Sequence, residues 1–75
     1  MEEKMTNAIH TAIVANLAAL SERLSEAAGL AKEAQEAMQD GNQNLAIGTV
    51  LDFEKRLPEA QALFAAAMAL HRGNN

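Results

Sequence analysis

The sequence predicts an all-α fold, one long antiparallel helical hairpin, on three observations. Alanine, leucine and glutamate dominate its 75 residues, with two aromatics (Phe53 and Phe64) and one proline, a composition that favours helix over strand. Small and apolar residues recur alternately four and three apart in two long stretches, the heptad spacing that keeps one stripe on one helix face. A single clear turn, Asp40-Gly41-Asn42-Gln43-Asn44, separates them.

The first helix is expected over about residues 4–39. Its stripe is Ile13, Leu17, Leu20, Leu24, Ala27, Ala31, Ala34 and Met38. Gly29 falls on the outward side, where it costs about 1 kcal/mol against alanine. In the turn, residues 40–44, Gly41 supplies the left-handed residue that ends a helix, and Asn42 or Asn44 can cap the next through a side-chain oxygen. A connection this short makes the two helices antiparallel neighbours. The second helix is expected over about residues 45–72, with Arg72 near its negative end and Gly73 as its stop.

The second stripe is Ala46, Val50, Phe53, Leu57, Ala60, Phe64, Ala67 and His71. Folding at the turn sets Met38 opposite Ala46, Ala34 opposite Val50, Ala27 opposite Leu57, Leu24 opposite Ala60 and Leu20 opposite Phe64, a large-against-small matching that suits a close-packed core. Pro58 interrupts the second helix, because it lacks an amide for the Glu54 carbonyl and disfavours helical geometry at Leu57. The heptad phase passes Pro58 without a slip, so a kink at Pro58 is expected. A break there, giving a three-helix bundle, is the alternative.

Residues 1–75 make one helical domain, too small to gain more than ~3–5 kcal/mol from its own core without a staple. Cysteine is absent, so no disulfide supplies one. Apolar residues outside both stripes, among them Ile9 and Val14, form strips that a lone hairpin leaves in water. The expected interaction surface is Leu30, Ile47, Leu51, Leu63, Met68 and Leu70. A second copy covering these strips would give a homodimeric four-helix bundle, and the helix of another protein is the alternative occupant.

The chemistry-bearing residues are sparse. Glu22 with Glu26 and Glu33 with Glu36 lie off the stripe beside Arg23 and Lys32, as a solvated charged face does. Ser21 and Ser25 have no histidine within a turn, and the glycines at 29, 41, 48 and 73 are too scattered for a phosphate loop. His10 and His71 meet at the open end of the hairpin, but the Glu-x-x-His of di-metal bundles is missing, since Asn7 and Met68 occupy the positions three before them. No catalytic, cofactor-binding or metal-ligating residue is therefore expected, and an enzyme is not.

A net charge of −4 with acidic residues spread through the chain repels phosphate backbones, which argues against general nucleic-acid binding. No signal segment or membrane span is evident and no small-molecule substrate is suggested, so the expected setting is the cytoplasm. The function expected is protein–protein interaction, as an adaptor, co-chaperone or regulatory subunit. In layout alone, with no shared residue motif, the chain is similar to the dimeric hairpin of the Rop-type plasmid RNA-binding proteins, which supplies the alternative of a nucleic-acid-binding regulatory dimer. It is likewise similar in layout to the helical-hairpin co-chaperones of type III secretion needle subunits.

Overall fold

A computed structural model describes the backbone of residues 2–73 and the side chains of residues 7–73; Met1, Asn74 and Asn75 lie outside the described residues. The described chain is helical almost throughout: α1 spans Glu2–Gln39, α2 Gln43–Leu51 and α3 Phe53–Gly73. Both α2 and α3 pack along α1, giving a rod of 60 × 15 × 13 Å. A helix of 38 residues is itself about 57 Å long at 1.5 Å per residue, so α1 sets the length of the rod and the second arm returns alongside it. The molecule is thus an antiparallel helical hairpin with a kinked second arm.

The turn closes through backbone and side-chain caps together. Gly41 sits at φ 79°, in the left-handed region that glycine enters without steric cost. The Asn42 amide donates to the Ala37 carbonyl at 2.8 Å and the Gly41 amide donates to the Met38 carbonyl at 2.9 Å, which satisfies two carbonyls left open at the end of α1. Asn42 then begins the return. Its side-chain Oδ1 accepts from the Leu45 amide at 3.2 Å, so one residue finishes the cap of α1 and starts α2.

The second arm is interrupted at Asp52, between α2 and α3, rather than at Pro58, which lies inside α3. Pro58 offers no amide to the Glu54 carbonyl and its ring crowds that carbonyl, yet α3 runs on through it and the interruption lies upstream at Asp52. There the Asp52 carbonyl accepts from both Lys55 (3.1 Å) and Arg56 (3.0 Å). Asp52 keeps helical angles, φ −63° and ψ −14°, so the arm bends without reversing and the three-helix bundle does not form.

Burial along α1 recurs at Ile9, Ile13, Asn16, Leu20, Arg23, Ala27, Leu30, Ala34 and Ala37, and along the second arm at Ala46, Thr49, Phe53, Arg56, Ala60, Leu63, Ala67 and Leu70. Half of the first expected stripe and five of the eight residues of the second are therefore in the seam. The rest, Leu17, Leu24, Ala31 and Met38 on α1 with Leu57, Phe64 and His71 on the second arm, are exposed. Both helices have turned by one position in the same sense, which brings polar side chains into the seam. Asn16 Nδ2 donates to the Ala12 carbonyl at 2.9 Å, Thr49 Oγ1 donates to the Leu45 carbonyl at 2.8 Å, Arg56 hydrogen-bonds across the hairpin to Glu26, and Arg23 is ion-paired across it with Glu59 although its Nε–H has no hydrogen-bond acceptor. A polar group that keeps a partner costs little to cover partly, so Asn16, Thr49 and Arg56 do not forbid the rotated seam, and Arg23 is held there by charge pairing alone.

Among the described residues the buried positions are all alanines: Ala27, Ala34, Ala37, Ala46, Ala60 and Ala67. Near the turn Ala34, Ala37 and Ala46 form one cluster with Val50 packed against it, so Ala37 rather than Met38 joins Ala46 in the core and Met38 stays half exposed. Small side chains let the two backbones approach closely. They also bury little apolar area each, so this seam leaves the larger side chains to the flanks of the rod.

Candidate docking surface

A hairpin seam has two flanks, formed by the positions on either side of the line where the helices touch. On one flank lie Glu26, Asp52 and Glu59, and the seam arginines reach out to them. Arg56 Nη1 donates to Glu26 Oε2 at 2.6 Å and Arg56 Nε donates to Asp52 Oδ2 at 2.6 Å. Hydrogen bonds to Glu26 first and Asp52 second hold the Arg56 guanidinium charged, its pKa above the ordinary arginine value. Arg23 Nε lies 3.4 Å from Glu59 Oε2, an ion pair without hydrogen-bond alignment, which leaves that buried N–H without a hydrogen-bond acceptor. These groups and Lys55 line an open depression of about 310 Å³. Its three cations face three carboxylates, so it offers no net charge to a ligand.

The opposite flank is apolar. Leu17, Leu24 and Met38 on α1 and Leu57 and Phe64 on the second arm are each 48–53% exposed. They follow the seam at heptad spacing on both helices, which in an antiparallel pair places the two rows side by side as one continuous strip. Val14 and Ile47, also about half exposed, extend its outer margin. His10 and His71 are exposed at the open end of this flank. Nothing in this arrangement sets a nucleophile beside a base, and among the described residues no group of three or more His, Asp or Glu is placed to hold a metal ion.

Of the surface expected from sequence, Ile47 and Leu51 are exposed, while Leu30, Leu63, Met68 and Leu70 are half-buried, the three leucines in the seam itself. The side chains that sequence reasoning assigned to the hairpin interior, Leu17, Leu24, Met38, Leu57 and Phe64, are the ones on the open flank. The signal that locates them is electrostatic: turning the seam toward Arg23 and Arg56 lets them pair across the hairpin with Glu59 and Glu26.

No helix among the described residues is long and apolar enough to cross a membrane. Compared with known protein families, curated proteins and solved structures, the chain matches none of them.

Proposed function

We propose that the chain is a protein–protein interaction module, an adaptor, co-chaperone or regulatory subunit, that docks helical surfaces on its apolar flank. The observation that carries this reading is the asymmetry of the rod: five large apolar side chains are half exposed on one flank, while the other carries the ion pairs and one such side chain, Leu45 near the turn. A contiguous apolar strip on a small protein is a recognised mark of an interaction site. Phosphate-driven binding has little support, because the cations on the polar flank are already neutralised by carboxylates. The setting proposed is the cytoplasm, which the cysteine-free composition permits.

The test is affinity purification from the source cell with the natural chain, a flank variant (Leu24→Gln with Phe64→Gln) and a polar-face control (Glu22→Gln). Proteins that associate with the natural chain and the control but not with the flank variant are the expected result. Retention by all three overturns the assignment of the flank. A low-salt gel shift that weakens steeply as salt rises would replace it with the nucleic-acid reading.

A further inference from the structure

We infer that the occupant of the apolar flank is a second copy of this chain, packed face to face and antiparallel, with the turn of one hairpin at the open end of the other. The inference rests on the docking reading above and names its partner. Area argues for the occupant. A compact protein of 8.0 kDa exposes about 4,450 Å², whereas this hairpin exposes 5731 Å², an excess on the order of 1,300 Å². Stable dimers cover about 800 Å² per partner, which this excess can supply.

The order of side chains along the flank argues for the orientation. Leu24 and Leu57 share a level, bracketed by the Arg23–Glu59 and Arg56–Glu26 bridges, and Leu57 is 16 residues from both Gly41 in the turn and Gly73 at the end of α3, while α1 runs on beyond that end. One heptad toward the turn the flank carries a shallow layer, the exposed Ala31 beside Val50, which is half-buried against the core. One heptad toward the open end it carries a large layer, Leu17 with Phe64. A two-fold axis perpendicular to the rod at the central level sets each shallow layer against the large layer of the second copy, and leucine meets leucine at the axis. A parallel pairing would instead stack Ala31 and Val50 on themselves, leaving a void, and force Leu17 and Phe64 together. Close-packed interfaces favour the first arrangement. The interface is isologous and closed, and it leaves the ion-paired flanks in water on the outside.

The chain has no cysteine, so single introduced thiols report position cleanly. The natural chain is first taken through sedimentation equilibrium over a dilution series, and Leu24→Cys and Met38→Cys are then treated with a short bis-maleimide. Dimer mass, with Leu24→Cys cross-linked to itself and Met38→Cys not, is the expected outcome, because antiparallel copies separate the two Met38 positions by about 40 Å. Cross-linking of Met38→Cys overturns the antiparallel orientation. A natural chain that stays monomeric at every concentration overturns self-association. In that event, binding of anilinonaphthalene sulfonate by the natural chain and its loss in Leu24→Gln leave the docking reading standing alone. A monomer that ignores the dye removes both.

Discussion

Ala46 is the most deeply buried side chain of the hairpin at 2% exposure, and replacing it with leucine tests the close alanine packing directly. Three added carbons would contribute about 2.4 kcal/mol of burial if there were room for them, at about 0.8 kcal/mol each. There is none without moving a helix, since Ala34 and Ala37 close the cluster across from Ala46. The helices cannot spread at this level, because the Asn42–Ala37 and Gly41–Met38 hydrogen bonds tie them together a few residues away. Strain therefore outweighs burial, and Ala46→Leu is expected to destabilise by about 1–3 kcal/mol, the usual range for overpacking. At this chain length each kcal/mol corresponds to about 4–8 °C in Tm. Circular dichroism melts at fixed protein concentration read the change. Ala65→Leu, at an exposed position on the outer face of α3, is the control and should stay within about 0.5 kcal/mol of the natural chain. An unchanged or raised Tm for Ala46→Leu would refute the argument, because it would mean that the helices are not in close contact at the turn.

Two further substitutions probe the backbone. Gly41→Ala places a side chain at φ 79° and should cost about 1–2 kcal/mol, seen as a lower urea midpoint at unchanged slope. Pro58→Ala restores an amide beneath the Glu54 carbonyl inside α3 and should raise stability by about 1–3 kcal/mol with a more negative helical ellipticity. Lower stability in that variant would show that packing against α1 depends on the bend at Asp52.

The hairpin and its turn are legible in the sequence because they rest on local chemistry: a long heptad pattern, a glycine that can enter the left-handed region, and an asparagine that can cap. The choice of seam is not local. Read by residue type, Leu17 and Leu24 belong inside while Asn16 and Arg23 belong outside, and the opposite occurs because the partners of the polar residues are supplied by the fold. Asn16 bonds within its own helix, but Arg23 needs Glu59 and Arg56 needs Glu26, and those pairings exist only once the hairpin has formed. The same rotation moved the candidate surface, since the leucines lost from the seam became the exposed flank and Leu30, Leu63 and Leu70 took their places. The chemistry of Pro58 calls for a bend in the second arm, but the interruption lies at Asp52, which is neither glycine nor proline and gives no such signal.

This rod exposes an apolar flank along its seam, and by our inference a second copy covers it. The most direct measurement is the thermal midpoint as a function of protein concentration, since only a folded dimer gains stability by mass action. The account predicts that each tenfold increase in concentration raises Tm by about 3–6 °C, with the Leu24→Gln, Phe64→Gln chain melting lower and losing this dependence. A midpoint that does not move over a hundredfold range, in a chain of monomer mass throughout, would contradict it.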